Sequence, residues 1–142
     1  MAYRENPWGQ INAPTAGQIG EQIESIVAIS SVALTSATPA NITSISLTPG
    51  VWNVAGGVEF SNASGTATST FCTIGTTSAT LGTRGNNNWV GTNVVANQDG
   101  VAQCPPLRLT LAATTTVYLI GQMTISTGTI TAGGRISGTR VG

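Results

Sequence analysis

Apolar and polar residues alternate with a period of two through most of this chain. Over residues 51–60, Trp52, Val54, Val58 and Phe60 fall on one face and Asn53 and Glu59 on the other, as in a half-buried strand. Ahead of it, Thr48-Pro49-Gly50 has turn chemistry, with Pro fixing φ and Gly accepting the positive φ of a type II turn. Residues 41–47 are therefore expected as its hairpin partner. Further on, Leu107, Leu109 and Leu111 alternate with Arg108 and Thr110, and Val117, Leu119, Met123 and Ile125 alternate with Tyr118, Gln122 and Thr124. The last stretch sets Ile130, Ala132, Gly134 and Ile136 against Thr131, Arg135 and Ser137. Shorter strands are expected at residues 26–34, 68–74 and 89–95. That makes about eight, with turn signals spaced as in antiparallel β-sandwiches and jelly rolls. The glycine pairs at 56–57 and 133–134 lie inside strand patterns, where glycine marks a bulge or a close backbone approach.

The first 20 residues break this pattern. They hold Pro7, Trp8 and Pro14 among Gln and Asn, with weak periodicity, and read as an extended arm (1–20) ahead of a sandwich domain (21–142). Between Thr15 and Ile26 two readings stay open. Ile19, Ile23 and Ile26 have helical spacing, with Thr15 and Gln18 mimicking a capping box, while Gly17 and Gly20 argue against a helix and for a first strand at residues 22–30.

Composition sharpens the β reading. Charged residues are only 7% of the 142, against about 25% in an average domain, and Thr, Ser, Asn and Gly replace them. Exposed helices usually clothe themselves in Glu, Lys and Arg; here there are five acids, five arginines, no Lys and no His. A formal net charge of zero provides no field to steer the chain to nucleic acid or anionic lipid. No apolar run approaches the ~20 residues of a membrane helix, and the start, Met1 to Trp8, has no basic-then-apolar leader. The chain reads as soluble and made in the cytoplasm. In that setting Cys72 and Cys104 are expected to remain reduced core thiols, although neighbouring strands would let them bridge.

Chemistry is poorly supplied. Without His or Lys, a nucleophilic Ser or Thr lacks its usual base, and no Cys/His/carboxylate cluster suggests a metal. Glu59 and Asp99 would form a glycosidase pair only by coincidence of folding; strand alternation turns Glu59 outward, and Asp99 lies in a Gln98-Asp99-Gly100 turn. No enzyme activity and no cofactor are expected. Three features remain as binding candidates. Pro7, Trp8 and Ile11 could anchor the arm in a partner. The loop carrying Arg84, Asn86, Asn88 and Trp89 mixes guanidinium, amides and an aromatic ring, a set suited to glycans; its plainer reading is a surface loop whose Trp89 begins a core strand. Arg108, Arg135 and Arg140 on the late strands could pair with Glu59 or with another subunit, although simple exposure is the expectation for each alone.

Uncharged strand faces such as Thr114-Thr115-Thr116 suit subunit interfaces, and a closed homo-oligomer would cover β edges that would otherwise aggregate. In order, Gly17-Gln18-Ile19-Gly20-Glu21, the run from Asn41 to Val54, Leu107-Arg108-Leu109, Thr115 to Leu119 and Gly134 to Arg140 resemble a family of small bacteriophage virion β domains. The resemblance covers residues 17–141 and implies a trimeric jelly roll exposed on a virion. A decoration or cement protein on the phage head is then expected, a homotrimer whose arm grips the major capsid protein or another virion protein. A tail-fibre or head-fibre tip that binds host glycans through the Arg84–Trp89 loop is the alternative. Neither implies nucleic acid or membrane insertion.

Overall fold

A computed structural model describes residues 13–90 and 97–142. These form nine strands and no helix: β1 (Gln22–Ala33), β2 (Ala40–Leu47), β3 (Gly50–Ser61), β4 (Thr66–Gly75), β5 (Asn88–Val90), β6 (Gly100–Gln103), β7 (Leu107–Leu111), β8 (Thr115–Thr127) and β9 (Thr131–Arg140). One sheet runs β1-β9-β3-β6, with β7 also on β3; the other runs β2-β8-β4-β5. Strands equidistant from the two ends pair: β1 with β9, β2 with β8, β3 with β6 and β7, β4 with β5. This is an antiparallel ribbon rolled on itself, and rolling it adds the β3–β9 and β4–β8 ladders. The fold is an all-β sandwich with jelly-roll connectivity.

The alternation built the core as expected. Trp52, Val54, Val58 and Phe60 of β3 and Ile136 and Ala132 of β9 meet Ile45 and Leu47 of β2, Val117, Leu119 and Met123 of β8, and Ile74 of β4, all buried. The strand missed in the sequence is β6. It is short, squeezed between the Asp99 turn and Pro105-Pro106, and shares one edge of β3 with β7. The two prolines lack N–H groups and divide that edge strand in two. Cys104 N donates the last bond before them, to Gly56 O at 3.0 Å.

Four other expectations are corrected or resolved. Residues 41–47 are a strand but not the hairpin partner of β3: β2 pairs with β8, and Thr48-Pro49-Gly50 carries the chain from one sheet to the other. Gly50 has a φ of +145°, so the glycine is required, yet the reversal it permits crosses the core. Cys72 and Cys104 are not free thiols. β4 and the segment after β6 lie on opposite sheets at one margin of the sandwich, with a Cα–Cα distance of 5.2 Å, and the two residues form a disulfide that staples the layers. At residues 15–20 a single turn forms, with Thr15 N donating to Gln18 Oε1 (3.0 Å) and Gln18 N to Thr15 O (3.1 Å). Positive φ at Gly17 and Gly20 stops it, and β1 follows.

Arg140 is the fourth. It is buried, where exposure was expected, and its position in phase with Ile136 and Gly138 was the signal that could have shown this. Its guanidinium donates to Glu21 Oε2 (3.0 Å), to Pro49 O (2.7 Å) and to the Thr48 hydroxyl, and lies 4.6 Å from the Trp52 ring centroid. The backbone closes the same knot, with Gly20 N donating to Arg140 O and Arg140 N to Glu21 O. Donation from Gly17 N, then from Arg140, holds the Glu21 carboxyl below its ordinary value against the opposing effect of burial. As for the glycine pairs, residues 28–31 of β1 bulge out opposite Gly133, where a Cβ would run into the Ala28 backbone.

Candidate functional site

The outer faces of the two sheets are built differently. On the five-stranded sheet, register places Glu24 and Ile26 of β1, Arg135 and Ser137 of β9, Ala55, Gly57 and Glu59 of β3, and Val101 and Gln103 of β6 on one side. Between them runs a groove of about 450 Å³. Its floor is low because it is made of Ala55, Gly57 and Ser137, and the apolar walls are open to solvent, with Ile26 66% and Val101 50% exposed. Arg135 pairs with Glu24 at 2.6 Å, whereas Glu59 has no ion pair among the described residues. Asp99 does not line the groove; it accepts a bond from Asn62 N at 3.2 Å and fixes a turn. Among the described residues there is no group of three or more His, Cys, Asp or Glu that could hold a metal.

The outer side of the four-stranded sheet is covered in part by its own chain. The loop at 76–87 lies across it, pinned where Asn41 donates to the Ser78 hydroxyl (2.7 Å) and accepts from Ala79 N (2.7 Å), and where Asn87 donates to Ile74 O (3.3 Å). Ile120, between Asn41 and Thr73 in the ladders, points away from the core and is nonetheless buried. Arg84 is the one charge on this face among the described residues.

The loop proposed for glycans is split by this geometry. Phe71 pairs with Val90 and Cys72 with Trp89, so Trp89 is on the core-facing side of the β4–β5 ladder and Phe71 on the outer side. Arg84 lies over the Phe71 ring at 5.8 Å, on the opposite side from Trp89. Asn88 is buried under the loop and donates to Gly82 O (3.2 Å), and Asn86 is exposed in the turn that Thr83 O closes. Trp89 does begin a strand, but β5 is a three-residue edge, so the indole stays 52% exposed at the open margin of the sandwich. The strand expected over 89–95 is seen only as Asn88–Val90, its remainder lying outside the described residues. Pro7, Trp8 and Ile11 also lie outside them.

No protein-family model matches the chain, and no curated protein does. Solved structures do. Over 100% of its length the chain superposes on the structure of the infectious bursal disease virus Gx strain, with a TM-score of 0.52 and 13% identity. It superposes equally on the crystal structure of the infectious bursal disease virus VP2 subviral particle, with a TM-score of 0.52 and 12% identity. The T13 particle of the same virus gives 0.52 and 12% over 99% of the chain. This chain spans 35–38% of the length of those chains. At this identity the likeness is one of fold alone.

Proposed function

We propose that this chain is a non-enzymatic structural protein of a bacteriophage virion, a decoration or cement protein seated on the capsid surface as a homotrimer. The observation that carries this reading is the rolled-ribbon connectivity, which spans the described chain and superposes whole on part of a viral capsid protein. The resemblance of residues 17–141 to small phage virion β domains points the same way. Residues 1–20 are the attachment arm, with Pro7, Trp8 and Ile11 as the grip on the major capsid protein or another virion protein. A large aromatic beside a rigid residue makes an anchor with little conformational freedom to lose on binding.

Deleting residues 1–16 and mixing the product with capsids stripped of the protein tests the reading. The truncated chain should stay a soluble trimer and no longer sediment with capsids; retained binding would overturn the role of the arm. A fibre tip for host glycans is the second reading, and it draws on the half-exposed Trp89. Replacing Trp89 with Ala should then lower adsorption of the phage to its host while the fold persists.

A further inference from the structure

We propose that the homotrimer closes edge to face, with the β5 edge of one copy, led by Trp89, seated in the groove on the five-stranded sheet of the next. This rests on the homotrimer reading above and names the surfaces that would make it. Among the described residues two apolar features of opposite shape are exposed. One is an edge: Trp89 and Val90, half-exposed on the three-residue strand that ends the four-stranded sheet. The other is concave: the groove walled by Ile26 and Val101, floored by Ala55 and Ser137 and, under the Gln103 amide, by Gly57.

Charge gives the two a matching sense. At the groove, Arg135 and Glu24 neutralise each other and leave Glu59 as the carboxylate without an ion pair among the described residues. Beside the edge strand, Arg84 is the sole charge between residues 76 and 90 and has no carboxylate partner among the described residues. Glu59 at the groove can thus meet Arg84 beside the edge when two copies come together, a pairing that aligns them and that groove-to-groove contact would not make. A contact joining two different patches of the same chain is heterologous, and such contacts form a ring when the rotation closes. It also covers an exposed strand edge, which a lone sandwich leaves open to aggregation.

The test is sedimentation velocity and native mass spectrometry on the full chain, with circular dichroism to follow the fold. The wild type should be a trimer. Trp89→Glu removes the knob and Ile26→Glu fills the groove, so each alone should be a folded monomer. Mixed one to one, they should form a heterodimer, because each supplies the surface the other lacks. Glu59→Arg or Arg84→Glu should weaken assembly about tenfold, and the double reversal should restore it. Trimers that survive all four single substitutions would overturn the edge-to-face contact and leave the homotrimer intact. Monomeric single variants that do not complement would overturn the heterologous geometry. A monomeric wild type would overturn this proposal together with the reading beneath it.

Discussion

The two outer faces of the sandwich use charge and cover in opposite ways. The four-stranded sheet is nearly free of charge on its outer side, but it is partly roofed by residues 76–87, which Asn41 and Asn87 fasten. The five-stranded sheet carries Glu24, Glu59, Arg108 and Arg135 on its outer side and leaves a groove between exposed Ile26 and Val101. Lack of charge along a strand had suggested a face against another subunit. In the structure part of that uncharged face is roofed by the chain itself, and exposed apolar side chains stand on both sheets, Ile26 and Val101 on the charged face and Trp89 and Val90 at the β5 margin. Charge depletion alone therefore does not locate an interface; whether apolar surface is left without a neighbour is the better guide.

Substitutions can break or sharpen this contrast, and the largest effects should come from the stitches both faces depend on. Arg140→Ala leaves the Glu21 carboxylate buried without its partner and should cost about 3–5 kcal/mol, read from urea unfolding. The same pair sets an acid limit. The Glu21 pKa is depressed in the folded state, so its contribution is complete above the ordinary value of 4.5 and is lost as pH falls through the folded value. Glu21→Gln should accordingly lower stability near neutrality and flatten its fall in acid. Next, replacing both Cys72 and Cys104 with Ala removes a cross-sheet link between residues 32 apart in sequence, which should cost about 3–4 kcal/mol by the loop-entropy estimate. A reducing agent should lower the melting temperature of the wild type and leave that of the double variant unchanged.

The smaller effects separate the two faces. Asn41→Ala unpins the roof over Ile120 and should cost about 1–3 kcal/mol, with faster amide exchange confined to residues 76–87. Arg135→Ala, on the grooved face, breaks an exposed ion pair and should cost less than about 1 kcal/mol, screened further by salt. A large loss of monomer stability from Arg135→Ala and none from Asn41→Ala would reverse the picture of one face built for the fold and the other left for a partner.

Much of the fold was legible in the sequence because period-two alternation reports burial directly. Trp52, Val54, Val58 and Phe60 were placed inward by spacing alone, and inward is where they are. What a turn sequence cannot say is which sheet the chain enters next, so Thr48-Pro49-Gly50 signalled a reversal but suggested a hairpin where there is a crossing. The disulfide was hidden for a related reason. Cys72 and Cys104 come together only after the ribbon rolls, and reasoning from a cytoplasmic origin argued for free thiols. Arg140 was readable from its phase with Ile136, but its charge outweighed that phase in the expectation. At the candidate site the composition of the Arg84–Trp89 loop was plain; the alternation that sends Arg84 and Trp89 to opposite sides depends on their pairing with Phe71 and Cys72, which no local pattern contains.

The pairing of β1 with β9 has a practical corollary. Because Gly20 and Arg140 are joined by a backbone hydrogen bond, the start of β1 and the end of β9 lie together at one pole of the sandwich. The connections at 34–39, 62–65 and 128–130 gather at the opposite pole, so a peptide grafted into one of them would stand away from the buried Arg140 and Glu21, and the molecule could serve as a display scaffold.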